Sequence, residues 1–315
     1  MLAAMSLRLI SYLLYSAIAG LLVSCETSTD LPLMSGNTQE PSGEGIALYQ
    51  EAKQADAAGN TKRAIKLYER SATLYSFASF APQARYRQAE LLEHSGKAIK
   101  AFDAYQLFLI RFQASDLYSA ALARQSSIAH AAATGKVTKS VLGFKTEIDT
   151  KAVAEMLGQV RDNAPKTPTA AKAQFTIGEI YQREHNFALA IDAYRQLVRD
   201  QPDSAETPEA LFRVGMVFVE QADSGNRNQA TLDLARESFN DYLNQYPAHF
   251  HNAEARKLIS MLDAREVQHS FDIAEYYFKT HQTESAKVYY KDVIKRAPSG
   301  RLHDAAHARL KQLGE

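Results

Sequence analysis

Two histidines four residues apart, His303 and His307 in "HDAAH", put two imidazoles one helical turn apart, the spacing of a metal-binding His-x-x-x-His pair. A zinc protease would carry Glu as general base after the first of them; Asp304 stands there, one methylene shorter. His249 and His251 in "HFH" are conceivable neighbours in space, but no third ligand stands out, so the pair reads as solvated on a terminal helix. "TGKVTKS", Thr134 to Ser140, faintly resembles a phosphate loop and fails it twice: His130 occupies the place of the first glycine, and Val137 rather than Ser or Thr follows Lys136. There is no Gly-x-Ser-x-Gly elbow or dinucleotide glycine fingerprint, and a single cysteine offers no redox pair. Carboxylate pairs lie on polar helix faces, where solvation is the ordinary reading. The expectation is a non-enzyme with no catalytic residue, no metal and no cofactor.

The lone cysteine, Cys25, closes the chain's only long apolar run. Arg8 precedes apolar residues from Leu9 to Val23, broken only by Ser, Gly and Tyr: the layout of a secretion signal. That stretch, about 15 residues, is short of the roughly 20 that span hydrocarbon as a helix. Ser24 supplies the small residue before a cleavage site, and the thiol of Cys25 can be thioether-linked to a diacylglycerol. Leu22-Val23-Ser24-Cys25 resembles the lipobox of bacterial lipoproteins; an uncleaved anchor and an ordinary signal with a chance cysteine are the plainer readings. Residues 1–24 are thus expected as a signal peptide and 25–44 as a tether. Rich in Ser, Thr, Gly and Pro, such a coil would reach about 25 Å. Cleavage removes one basic and no acidic residue from a balanced 36 to 36, which gives no electrostatic reason to expect nucleic acid.

The elements that would carry these residues are helical and self-similar. Gln174 to Pro202 has Gly178 and Tyr181 on one helix, Phe187 opening the next, Ala190, Tyr194 and Leu197 on one face, and Pro202 closing it: the tetratricopeptide pattern, with small residues where two helices cross. Ala52, Gly59, Ala64 and Tyr68 recur as Ala89, Gly96, Ala101 and Tyr105. Another unit runs from Pro208 through Gly215, Ala235 and Phe239 to Pro247, with a loop insertion around "DSGNRNQA"; the last has Ala274, Tyr277, Ala286, Tyr290 and Pro298. A degenerate hairpin, Tyr118 to Ala132 and Lys151 to Val160, encloses a long insertion with strand-like alternation. Leu302 to Leu313, with Ala305, Ala306, Leu310 and Leu313 as one stripe, reads as a cap. The expected fold is all-α: a tetratricopeptide helical-hairpin solenoid of five to six repeats with a C-terminal capping helix. Its parts are N-terminal repeats over 45–132, the insertion and degenerate hairpin over 133–165, and C-terminal repeats and cap over 166–315.

Two stretches carry a family resemblance. Ala47 to Leu92, with Tyr75-Ser76-Phe77-Ala78-Ser79-Phe80 in place of a "YPFSPY" turn, and Ala235 to Pro298, with a long helix leading into Ile273-Ala274-Glu275-Tyr276-Tyr277, resemble the BamD family. These are lipoproteins of the machinery that inserts β-barrel proteins into the bacterial outer membrane. The resemblance implies a non-catalytic scaffold, lipid-anchored at the cell outer membrane and facing the periplasm. Glu26 after Cys25 is compatible with that sorting. It implies that repeats from Leu48 to Phe112 recognise unfolded barrel precursors, and that Ala235 to Pro298 grip the periplasmic domains of the barrel-forming core protein, with Arg265, Asp272, Glu275, Tyr276 and Lys279 as binding residues. Family members often have Glu-Arg-Gly where this chain has Lys279, Thr280 and His281, and the insertion makes it an enlarged relative. The competing reading is an envelope-tethered scaffold of cell-wall or division complexes resembling the Tol-Pal coordinator, a family that usually lacks the lipobox and long linking helix. A distant third is an envelope enzyme.

Overall fold

The structure is a computed structural model that describes residues 42–315 apart from 142–143 and 226–228. The expected signal peptide, its cleavage at Ser24, the expected lipidation of Cys25 and the expected tether as far as residue 41 lie outside the described residues, and Gly43 and Glu44, expected in that tether, open the first helix. The remainder is all-α, a solenoid of helical hairpins: α1 (Gly43–Ala57) with α2 (Thr61–Leu74), α3 (Ala81–His94) with α4 (Ala98–Arg111), α5 (Tyr118–Ala133) with α6 (Thr150–Asn163), α7 (Pro168–Arg183) with α8 (Phe187–Asp200), α9 (Thr207–Asp223) with α10 (Gln229–Gln245), and the 28-residue α11 (Asn252–Lys279) with α12 (Thr283–Arg296). The last helix, α13 (Arg301–Gln312), packs Ala306 and Leu310 inward and closes the end, as its stripe predicts.

Local chemistry explains the helix ends. Side chains of Ser42, Asn60, Asp149, Thr167 and Asn186 accept hydrogen bonds from the first free amides of α1, α2, α6, α7 and α8. The turn inside each of four hairpins needs one left-handed residue. Gly59 and Gly96 fill it at φ 72° and 71°, but His185 and His281 fill it at 55° and 59°, where a side chain is strained.

The small residues of the repeats mark close crossings. A Cβ on Gly178 would strike the Tyr194 ring, and one on Gly215 would come within 2.6 Å of Phe239. The degenerate hairpin is held differently, by a half-buried amide cluster around the buried Gln125. Gln125 donates to Gln106 Oε1 at 2.5 Å; Asn163 donates to the same oxygen at 2.7 Å and to Gln125 Oε1 at 2.9 Å, knitting α4, α5 and α6. Between α5 and α6 run two antiparallel strands, β1 (Thr138–Val141) and β2 (Phe144–Glu147), in register Thr138 to Glu147. Val137 and Ile148, flanking them, pack onto the first core.

Three apolar cores follow one another. The first extends from α1 to α8, the second from α7 to Leu262 in α11, and the third from Val267 in α11 to Leu310 in α13. Tyr181 packs on both the first and the second. The second and third have no side chain in common and are joined by α11 itself, about 42 Å of continuous helix.

Candidate functional site: an exposed stripe on the linking helix

Five residues named by resemblance lie from the middle of α11 to its C-terminal end: Arg265, Asp272, Glu275, Tyr276 and Lys279. At about 100° per residue, positions 265, 272, 276 and 279 fall in a stripe some 60° wide, while 275 is turned about 80° from Arg265. The surroundings match that arithmetic. Tyr276 is 61% exposed, Met261 on the same stripe 58%, and Asp272 and Lys279 are exposed. Asp272 accepts from Gln268 Nε2 one turn back at 2.8 Å. Arg265 is half-buried, donating to Asp223 Oδ1 at 2.7 Å and so fastening α11 to the end of α9. Tyr276 meets the edge of Tyr277, whose ring stacks on Tyr289 at 5.6 Å; Val288 beside it on α12 is 65% exposed.

Glu275, named with them, is enclosed. Its side chain is 17% exposed, accepting from Tyr290 Oη at 2.7 Å and from Arg309 Nε at 2.7 Å and Nη2 at 3.2 Å. Burial works to raise its pKa, but the hydrogen bonds from Arg309 and Tyr290 outweigh it and hold the carboxyl below its ordinary value. Burial, then the neighbouring carboxylate, pushes the Tyr290 hydroxyl well above the ordinary range. Glu275 therefore ties α11, α12 and α13 into one unit.

The same device occurs earlier. Tyr68 donates to Asp56, which also accepts from Arg87 Nε at 2.8 Å; Tyr105 donates to Glu93 at 3.0 Å, which accepts from Arg124 at 3.3 Å. In α7 and α8 the partner of Tyr194 is Gln182 at 3.0 Å, and Arg213 turns to Glu209 on its own helix. In all four copies the arginine stands nineteen residues after the tyrosine, and in the first three the acid or amide stands twelve before it. In the last copy Phe278 takes that position, under the Arg309 guanidinium at 4.6 Å, and the carboxylate moves back to Glu275. The tyrosine-to-arginine spacing is visible in the sequence, while the shift of the carboxylate from position 278 to Glu275 is seen only in the structure.

The two halves of the stripe straddle a joint without an apolar core. There Glu266, 16% exposed, pairs with both Arg236 of α10 and Arg296 of α12; Arg236 also meets Asp263 at 3.0 Å, and Arg296 meets Asp292 at 2.9 Å.

The other candidate chemistry is absorbed by the fold. His303 Nδ1 donates to the Ala297 carbonyl at 2.7 Å, and the His303 and His307 rings meet edge-on. His251 stacks on Phe212 and lies between Glu209 at 2.7 Å and Glu254 at 2.8 Å, while His249 bonds the Tyr242 hydroxyl at 2.6 Å. Among the described residues no group of His, Cys, Asp and Glu could hold a metal ion, and no helix is long and apolar enough to cross a membrane. "TGKVTKS" leads into β1, not into the helix N-terminus that cradles phosphate.

Comparison with known proteins gives a family and several distant folds. The family model YfiO, described as an outer membrane lipoprotein, matches residues 144–311. Among solved structures, MamA of Desulfovibrio magneticus RS-1 is 16% identical, covering 67% of this chain and 99% of that one, with TM-score 0.31. A tetratricopeptide repeat protein from Parabacteroides merdae is 12% identical (86% and 99% covered, TM-score 0.31), and pilF of Pseudomonas aeruginosa 10% (84% and 97%, TM-score 0.30). No curated protein matches the chain.

Proposed function

Because the chain belongs to the YfiO family of outer membrane lipoproteins, we propose that it is a non-catalytic scaffold of the β-barrel assembly machinery, lipidated at Cys25 and held at the outer membrane facing the periplasm. In this reading the α11 stripe of Arg265, Asp272, Tyr276 and Lys279 docks the periplasmic domains of the barrel-forming core protein. Glu275 supports the docking face from behind, and the N-terminal repeats receive unfolded barrel precursors. The observation that carries the reading is the stripe itself. A continuous helix inside the family-matched region presents exposed apolar and charged side chains over about 27 Å, while the residues behind it are fixed by packing and ion pairs.

The test is purification of the lipidated full-length chain from its membrane in detergent, with cross-linking and mass spectrometry. A large barrel protein cross-linked to residues 261–289, and lost on Tyr276→Arg, is the expected result. Recovery of cell-wall or division proteins with no barrel partner would replace this reading with the envelope-scaffold one. Cys25→Ser is expected to yield a non-acylated form, and an acylated mutant would refute the lipid anchor.

A further inference from the structure

The N-terminal repeats carry a second feature, made of different residues from the α11 stripe and independent of it. Helices α2 and α4 run in the same direction on either side of α3, because each consecutive pair is antiparallel, and between them lies a groove of about 470 Å³. Lys62 and Lys66 line one wall, Lys97 and Lys100 the other, all exposed. These lysines stand at the N-terminal ends of α2 and α4, where the helix dipoles add to the same positive potential. None has an ion-pair partner among the described residues, whereas Arg63 of α2 pairs with Glu51, and Arg87 of α3 with Asp56 and Glu90.

The floor is Arg85, 3% exposed. Its Nη1 donates to Gln88 at 2.7 Å and its Nη2 to Thr73 at 2.8 Å, both neutral, and its Nε has no partner. No carboxylate hydrogen-bonds to this buried guanidinium, and Glu69 acts on it from a distance against the like charge of Arg111, so an incoming anion would supply further counter-charge. Glu69 and Asp103 also line the groove, leaving five cations against two carboxylates. Towards the other end of α4 the lining becomes apolar: Leu107 is 42% exposed, and Ile110 one turn on is 44% exposed.

We propose that this groove is a docking site for an acidic peptide segment bearing an apolar side chain, its carboxylates over the lysines at the starts of α2 and α4 and its apolar residue on Leu107. A peptide fits better than a membrane surface. Glu69 and Asp103 interrupt the lysines and would face a uniformly anionic plane, whereas a chain can place its own carboxylates between them. The groove is also walled on two sides by helices, a shape that admits a strand or helix and excludes a flat lipid layer.

The experiment uses the mature full-length chain and a fluorescein-labelled Glu-Glu-Leu-Glu-Glu-Leu peptide, read by fluorescence anisotropy at low salt. The peptide is expected to bind, to weaken as salt is raised, and to bind about tenfold more weakly to the Lys66→Glu, Lys100→Glu double variant. Leu107→Ser is expected to cost about threefold, and Lys311→Glu, on the cap helix, nothing. Both lysines are exposed, so the thermal transition should be unchanged and loss of binding is not loss of fold. The proposal is overturned if the peptide does not bind, or if the double variant binds it equally well. It is also overturned if those substitutions instead abolish binding to phosphatidylglycerol vesicles while leaving the peptide unaffected, which would assign the groove to lipid.

Discussion

Between the first and second cores Tyr181 packs on both, and the crossing at Gly178 and Tyr194 is too close for any added side-chain atom. Between the second and third, no apolar side chain is shared, and the contact across α10, α11 and α12 is Glu266 held by Arg236 and Arg296. One joint is packed side chain against side chain and transmits strain through that packing. The other is polar, partly exposed and screened by ions. The second joint falls near the middle of α11, so the last hairpin and cap are coupled to the repeats before them by helix backbone and ion pairs rather than by a shared apolar core.

Overpacking the apolar joint should have the largest effect. Gly178→Leu drives a side chain into the Tyr194 ring and is expected to destabilise by about 3 kcal/mol or more, read as a lower midpoint in urea; an unchanged midpoint would mean the helices do not cross there. At the ionic joint, Glu266→Gln removes the carboxylate that Arg236 and Arg296 share, leaving Arg236 to Asp263 and Arg296 to Asp292. It should cost about 1–3 kcal/mol, with hydrogen exchange rising over residues 263–312 and not over 171–197. Uniform exchange along the chain would erase the difference between the joints.

Acid sharpens the comparison in another way. The Arg87 hydrogen bond holds Asp56 below its ordinary pKa, despite burial, and Arg309 and Tyr290 do the same for Glu275. A carboxyl whose folded pKa is depressed contributes stability that is complete above its unfolded value and is lost as pH falls through the folded one. Below about pH 4, therefore, the first hairpin and the C-terminal unit should loosen. The Tyr194 copy, built on the amide of Gln182, has no such carboxyl to lose. Tyrosine ring signals followed by NMR through the titration would separate them, and simultaneous loss of all copies would contradict the assignment.

The smallest effect expected is a gain. His281 holds φ 59° in a turn where Gly59 and Gly96 hold nearly the same position at no steric cost. His281→Gly should raise stability by about 1 kcal/mol, seen as a modest rise in Tm; a fall would reveal a role for the imidazole.

Much of this architecture is local and hence legible from residue order. Hairpins, their turns, the small residues at crossings and the capping stripe of α13 follow from periodicity and side-chain size, which act within a few residues. The long linking helix was also readable, through resemblance. The tyrosine and arginine that hold Glu275 recur nineteen residues apart and were readable, but that their carboxylate comes from Glu275 rather than from twelve residues before the tyrosine depends on stacking three helices. The joint at Glu266 was not readable, because charged residues at helix spacing look the same whether water or two arginines from other helices surround them. The sequence alone determined which segments are helical and which faces are apolar, because propensity and periodicity are short-range. Only the tertiary structure decided which charges are internal partners and which lysines stand unpaired around Arg85, because ion pairing is set by distances between helices far apart in the chain.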